Sequence, residues 1–135
     1  MATSAEQRNP YDGDPARSWI LVRLADRNGS ESVFKLIADT GNPFALVIDP
    51  QSTASLNHGE GPSVDTNFGQ LQGAWFQLAM PELGLGQKVL GYASAEVVAS
   101  VKQGHADFAG LAGLPLLRLL EYGGNATEFW IRPPS

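Results

Sequence analysis

The chain has 135 residues and a formal net charge of −5, a length that fits one domain with a hydrophobic core of its own. The acidic balance argues against nucleic acid as a partner, because no basic stripe is present to neutralise phosphates. The chain contains no cysteine, which excludes disulfides, thiolate metal sites and cysteine nucleophiles.

Residues 1–17 are polar and contain two prolines and the turn-forming run Asp12-Gly13-Asp14. This composition predicts a flexible N-terminal arm, followed by one domain over residues 18–135. The arm lacks the apolar core of a signal peptide, and no stretch approaches the length of a membrane span. We therefore expect a soluble, cytoplasmic protein that has no membrane partner.

The first half of the chain shows short strands at hairpin spacing. Residues 19–24 and 33–38 are predicted strands, joined by a hairpin turn at 26–29 in which Asn28-Gly29 supplies the positive φ that such turns need. A third strand over 44–48 ends at Asp49-Pro50. The polar segment 51–62 follows, with one helical turn expected near residues 52–56.

The second half continues the pattern. Residues 71–78 and 87–98 are predicted strands joined by a turn-rich link over 81–86. One helix is expected to begin at Pro115, run through residue 121 and end at Gly123-Gly124. A last strand is predicted over 129–132. Many short strands at this spacing favour an all-β barrel or sandwich, and the chain contains no internal repeat.

One acidic residue interrupts two apolar runs. Asp39, Thr40 and Gly41 follow the second strand, and Asn42-Pro43 lead into the third. Placing a carboxylate between buried strands is costly unless it is hydrogen-bonded, and Gly41 allows the backbone to approach it closely. A rigid catalytic acid or base would be built in this way.

These residues resemble a known family. Residues 37–41, Ile-Ala-Asp-Thr-Gly, look like the apolar-apolar-Asp-Thr-Gly signature of aspartic peptidases. Residues 108–117 are similar to the Gly-x-x-x-Leu segment that packs beneath that loop. The order and separation resemble the single-domain, retropepsin-like branch, over residues 19–131. The resemblance implies an all-β closed barrel with one short C-terminal helix, an aspartic endopeptidase activity without cofactor or metal, and a peptide or unfolded protein as substrate.

Hydrolysis of this kind needs two carboxylates about 3 Å apart that share one proton. The chain supplies one such loop, because the near-copy Asp65-Thr66-Asn67 lacks the glycine and the apolar lead-in and is interpreted as a turn. The second Asp39 is therefore expected from a second subunit of a two-fold homodimer. The family's termini interleave into an intersubunit sheet, for which residues 19–24 and 129–132 are the candidates here.

The expected catalytic residues are Asp39, Thr40 and Gly41. In the family, the threonine hydroxyl bonds across the dimer axis, and Gly41 can offer its N–H to the carboxylate. Asn42 stands where the family usually has Ala or Ser, and it remains a candidate to bind substrate. Pro43 removes a backbone donor just past this loop.

The family also needs a flap, a hairpin that closes over the substrate. The candidate flap spans residues 67–73, and we expect Phe68, Gly69, Gln70 and Leu71 to bind substrate. Residues 59–61 are a rival tip. An extended peptide would add as a strand between flap and floor.

Two other hypotheses compete with the peptidase. One is a non-catalytic peptide-binding or dimerisation module on the same scaffold, motivated by Asn42-Pro43 and by the two rival positions for the flap. The other is an unrelated small β-barrel in which Asp39 is only a turn residue. His58 and His105 are isolated, so a metal site is not expected, and no Gly-x-Ser-x-Gly motif indicates a serine hydrolase.

Overall fold

The computed structural model describes residues 5–67 and 69–134. The strands in this part of the chain are β1 (Gln7–Pro10), β2 (Trp19–Ala25), β3 (Glu31–Asp39), β4 (Leu46–Ile48), β5 (Val64–Thr66), β6 (Gly69–Leu71), β7 (Gly73–Met80), β8 (Leu85–Ala93), β9 (Gly110–Gly113), β10 (Glu121–Gly124) and β11 (Glu128–Arg132). The helices are α1 (Pro50–Leu56), α2 (Ala95–Gly104) and α3 (Leu114–Leu117), with a 3₁₀ turn at Pro81–Leu83.

Six strands close into a barrel in the order β2-β3-β9-β4-β8-β7. The β3–β9 and β4–β8 pairs are parallel, and the other neighbours are antiparallel. Closure removes the exposed strand edges that would otherwise template aggregation. The expectation of a mostly β protein built on a closed barrel is confirmed.

The barrel core follows from the two-residue period of its strands. On β2, Ile20, Val22 and Leu24 are fully buried, while their neighbour Leu21 is 36% exposed. On β7, alternate residues from Phe76 to Met80 are buried in the same way. Because alternate side chains of a strand point to opposite faces, one face of each strand fills the barrel. Burying one such side chain contributes about 1.5–3 kcal/mol to stability.

The first hairpin forms as the sequence predicts. The carboxylate of Asp26 accepts hydrogen bonds from the backbone N–H groups of Asn28, at 2.8 Å, and Ser30, at 2.9 Å. Gly29 has a φ of 86°, which an L side chain rarely adopts. The turn therefore fixes the register in which β2 and β3 pair.

A small second sheet combines an N-terminal strand with two C-terminal strands, in the order β1-β11-β10. Its strand β1 lies inside the predicted arm, so residues 7–10 are a paired strand, whereas residues 1–4 lie outside the described residues. The Gln7 side chain bonds both backbone groups of Leu21, at 2.6 and 3.0 Å, and Asn9 donates to the carbonyl of Trp19 at 3.2 Å. These polar side chains dock the strand onto β2, which explains why an apolar pattern is missing.

One strand prediction and one helix prediction need correction. The strand expected over 87–98 ends at Ala93, because the Ser94 hydroxyl accepts a hydrogen bond from the N–H of Val97 and caps α2. The C-terminal helix spans only Leu114–Leu117, because Glu121 and the residues after it pair with β11 instead. Of the three helices in the described residues, α1 contains the helical turn expected near residues 52–56, α3 is shorter than the C-terminal helix expected, and α2 replaces part of a predicted strand.

The segment interpreted as a turn at Asp65-Thr66-Asn67 also differs. Asp65 and Thr66 belong to β5, which pairs with β6 in a two-stranded hairpin. The sequence offers little apolar alternation here, and the one apolar pair, Val64 with buried Leu71, lies at the end of the hairpin.

The candidate strands for an intersubunit sheet are already paired within the chain. Strand β2 lies in the barrel, and β11 has β1 on one side and β10 on the other. An intersubunit extension of the sheet that contains β11 would therefore form at the outer edge of β1 or β10. Among the described residues, no helix is both long and apolar enough to cross a bilayer.

Candidate functional site

The Asp39 carboxylate is held at the end of a barrel strand. Asp39 is the last residue of β3, and its Oδ1 accepts a hydrogen bond from the N–H of Gly41 at 3.0 Å. The Asn42 N–H donates to the Asp39 carbonyl at 3.1 Å and closes the turn. A carboxylate that accepts a backbone N–H keeps a fixed orientation, which is what an acid–base group requires.

Two glycines of β9 let this loop and β4 approach closely. A Cβ on Gly113 would lie 1.9 Å from the Phe44 carbonyl oxygen, and one on Gly110 would lie 2.0 Å from that of Val47. Backbone hydrogen bonds run across the same contact, from Leu114 to Asn42 and from Gly113 to Ala45. The glycine-rich segment therefore packs directly against the chain that follows Asp39.

Thr40 and Asn42, which follow Asp39 in the loop, differ in their side-chain hydrogen bonds. Thr40 is exposed, and its hydroxyl makes no hydrogen bond to any described residue. The Asn42 side-chain oxygen accepts the N–H of Phe44 at 2.8 Å. Asn42 thus stabilises its own loop through that oxygen, and its NH₂ group retains two hydrogen-bond donors.

A cleft of about 590 Å³ opens at Asp39. One wall is the end of β3, another is the last turns of α2, and a third is the segment that precedes β2. The residues lining it are Asp14, Pro15, Arg17, Ser18, Ile37, Ala38, Asp39, Ser100, Val101, Gln103, Gly104, Phe108 and Leu111. Charged and amide groups give this cleft a polar character.

A second cleft, of about 330 Å³, adjoins the first and is mostly apolar. The two share Ser100, Val101 and Leu111, so they run side by side along α2. The loop after Asp39 and the β5–β6 hairpin form its other walls. Its lining residues are Asn42, Pro43, Phe44, Val47, Thr66, Asn67, Leu71, Val97, Ser100, Val101 and Leu111.

The candidate flap is a hairpin in this structure. Thr66 pairs with Gly69 across its turn, and the Thr66 hydroxyl donates to the Gly69 carbonyl at 2.9 Å. Leu71 is buried and lines the apolar cleft, whereas Gly69 and Gln70 are exposed and line neither cleft. Phe68 lies outside the described residues.

The rival tip at residues 59–61 lies against a barrel strand. Gly61 donates to the Gly73 carbonyl at 2.8 Å, and Trp75 donates to that of Gly59 at 2.9 Å. The backbone of residues 59–61 is therefore already hydrogen-bonded to the start of β7. Of the two candidates, the segment 67–73 is the one that borders a cleft, through Asn67 and Leu71.

Two of the cleft walls were not anticipated from the sequence. The α2 residues Val97 and Val101 line the apolar cleft, and Arg17 lines the polar one. A signal for α2 was present, because Ser94 followed by apolar residues at positions 97, 98 and 101 fits a capped amphipathic helix. Nothing local marks Arg17, which reaches the cleft only through the tertiary fold.

The two histidines lie away from Asp39. The His58 ring nitrogen Nε2 lies 2.7 Å from the Ala25 carbonyl oxygen. His105 caps the end of α2, with its Nε2 3.6 Å from Asp12 and its Nδ1 3.8 Å from Asp107. Both therefore contact groups within the fold and not the clefts.

Comparison with protein-family models, with curated proteins and with solved structures found no match to this chain.

Proposed function

We propose that the chain is an aspartic endopeptidase of the retropepsin-like type, which hydrolyses peptide bonds of an extended or unfolded polypeptide. The observation that carries the proposal is the Asp39 carboxylate, fixed by the Gly41 N–H at the end of a barrel strand, in a residue that lines a cleft. The adjoining apolar cleft and the hairpin beside it fit a peptide with an apolar side chain.

The proposed chemistry uses a pair of carboxylates and a water molecule. One carboxylate takes a proton from the water as it attacks the peptide carbonyl carbon, while the protonated partner donates to the carbonyl oxygen. The C–N bond then breaks as the nitrogen receives a proton. Two like charges this close cannot both ionise, so one proton is shared between them.

In this proposal a second copy of the chain completes the pair. Asp14 also lines the cleft, but it lies outside any Asp-Thr-Gly loop, of which the chain has one. Asp65, the acid of the near-copy, lies in a hairpin strand and does not line the cleft that contains Asp39. We therefore propose a two-fold homodimer with the two Asp39 residues at the axis. The exposed Thr40 hydroxyl, with no bond to any described residue, is available for a contact across that axis.

Substitution of Asp39 by Asn tests the activity. The variant should keep its fold, because an amide oxygen can accept the Gly41 N–H. It should lose cleavage of an unstructured protein at mildly acid pH, since Asn cannot take up the proton. Cleavage at the wild-type rate by the purified variant would reject the peptidase proposal.

A second candidate is a non-catalytic peptide-binding module on the same scaffold. It is favoured by the loop after Asp39, where the Asn42 oxygen is used internally and Pro43 offers no N–H to a substrate. Measurable binding of peptides by the wild-type chain, with no cleavage of any of them from pH 3 to 8, would select this function.

A further inference from the structure

We propose that residues 12–17, which precede the barrel, form one wall of a peptide-binding cleft beside Asp39. In this proposal Arg17 sets the charge preference of the wall, and Asp12 and Lys35 are positioning residues that hold it. The inference rests on the proposed function in either form, catalytic or binding.

The two ends of the segment 12–17 are hydrogen-bonded to each other. Asp12 and Arg17 exchange two backbone hydrogen bonds, of 3.1 and 2.7 Å. The Asp12 carboxylate also accepts the N–H of Gly13 at 2.8 Å. Residues 12–17 thereby form a compact loop, of which Asp14, Pro15 and Arg17 line the cleft.

An ion pair fastens this loop to the strand that carries Asp39. The Lys35 ammonium lies 2.5 Å from Asp12 Oδ2, and its side chain is only 18% exposed. It also lies 4.4 Å from the centre of the Trp19 ring and 5.2 Å from that of Phe108, a residue that lines the cleft. The hydrogen bond from Lys35 lowers the pKa of Asp12, as expected for a carboxylate held in its charged form.

The opposite side of the loop is tied to α2. The Asp14 N–H donates to the Gly104 carbonyl at 3.1 Å, and His105 lies 3.6 Å from the Asp12 carboxylate. The loop therefore connects β3 with the end of α2, the two elements that form the other walls of the cleft. Removing the Asp12 carboxylate should therefore shift residues 12–17 and leave the structure of the Asp39 loop unchanged.

Arg17 supplies the cation of this wall. It is exposed, it is the one cationic residue that lines the cleft, and it forms no ion pair with any described residue. Asp14 and Asp39 contribute carboxylates to the same cleft. A guanidinium without an intrachain partner can bind a carboxylate through two parallel hydrogen bonds, so neutralising it should shift the cleft away from acidic side chains.

The first test measures binding without cleavage. In the Asp39→Asn background, affinities are measured for pairs of fluorescent unstructured peptides that differ only by Glu or Lys at one position, scanned along the peptide. Arg17→Gln should lower the Glu-to-Lys affinity ratio by about three-fold or more at one position. Arg23→Gln, which removes an equal charge from a residue paired with Glu31 outside the cleft, should leave the ratio unchanged.

The second test distinguishes a positioning role of Asp12 from a general effect on protein stability. If the wild-type chain cleaves peptides, Asp12→Asn should raise KM several-fold with kcat nearly unchanged. Glu128→Gln, which removes the partner of Arg8 in the β1–β11 pair, should leave both constants unchanged. If the chain binds without cleaving, the same variants are compared by Kd.

A Glu-to-Lys affinity ratio that Arg17→Gln leaves unchanged at every peptide position would overturn the inference. Equal effects of Asp12→Asn and Glu128→Gln on KM or Kd would overturn it as well. Failure of every peptide to bind would overturn it together with the proposed function. Retained binding with a lost Glu–Lys preference, but no cleavage by the wild-type chain, would reject only the peptidase proposal.

Discussion

Asp39 and Gly113 are partners in the parallel pairing of β3 with β9. The glycine leaves room for the Phe44 carbonyl oxygen, which would lie 1.9 Å from a Cβ at that position. The loop after Asp39 therefore reaches its position because its neighbour across the ladder has no side chain. The geometry of the acidic loop depends on this residue as much as on the loop's own sequence.

Substitution of Gly113 by Ala should destabilise the protein by about 2 kcal/mol or more, because a methyl group has to displace backbone that cannot move freely. The matched control is Gly86→Ala on β8, where the nearest atom to a new Cβ is 3.9 Å away. The control should change stability by less than about 1 kcal/mol. Urea unfolding of both variants measures the difference, and equal midpoints would show that the close approach does not constrain the loop.

The N-terminus of α1 should lose stability when its cap is removed. Asp49 accepts hydrogen bonds from the Ser52 N–H and hydroxyl, both at 2.7 Å. Replacing it with Ala should cost about 0.5–2 kcal/mol at neutral pH. Chemical denaturation of the two proteins gives this difference directly.

The same cap should weaken in acid. Burial raises the pKa of Asp49, but the hydrogen bonds from Ser52 and neighbouring groups outweigh it and place the pKa below the ordinary value of 3.8. Its stabilising contribution is therefore fully present above that value and is lost as the pH falls through the lower, folded-state pKa. The stability gap between wild type and Asp49→Ala should shrink in that range, and a gap that widened there would contradict the assignment.

The apolar cleft should select an apolar side chain through α2. Val97 is half-buried and lines this cleft, so Val97→Ser should weaken binding of a peptide with an apolar side chain by roughly 1 kcal/mol, or about five-fold. Val33→Ser, at a position 59% exposed on β3, is the control and should not alter affinity. Similar affinities for all three proteins would remove α2 from the binding surface.

The parts of the fold that the sequence predicts correctly are those set by neighbouring residues. Asn28-Gly29 determines the first hairpin because the turn chemistry lies within the turn itself. The apolar run that ends at Asp39 likewise predicts its strand and the abrupt change to a loop. In both cases the information needed spans only a few residues.

The errors arise where a distant segment decides the structure. Gln7 and Asn9 give no strand pattern, and β1 forms by pairing with the distant strand β11, while their amides bond the edge of β2. Glu121 continues an apparent helix, but pairing with Arg132 draws it into β10. The β-branched Val97 and Val98 suit a strand as well as a helix, and only the Ser94 cap distinguishes the two.

The candidate site likewise has one part that the sequence predicts and one part that it does not. The loop of Asp39, Thr40 and Gly41 is visible in the sequence because its residues are adjacent. The wall that contains Arg17 is not, since residues 12–17 reach the cleft through an ion pair with Lys35 on another strand. The local sequence pattern predicts the acidic loop, whereas the residues that surround Asp39 in the cleft are seen only in the tertiary structure.

The central claim is that two copies of the chain each contribute Asp39 to one site, and a mixing experiment tests it most directly. Cleavage is measured for a fixed amount of wild-type chain after subunit exchange with increasing Asp39→Asn chain. Because mixed dimers carry one carboxylate, an equal amount of variant should reduce cleavage to about half, and a nine-fold excess to about one tenth. Cleavage that stays constant at every ratio would mean that a single chain is sufficient, and would contradict the account.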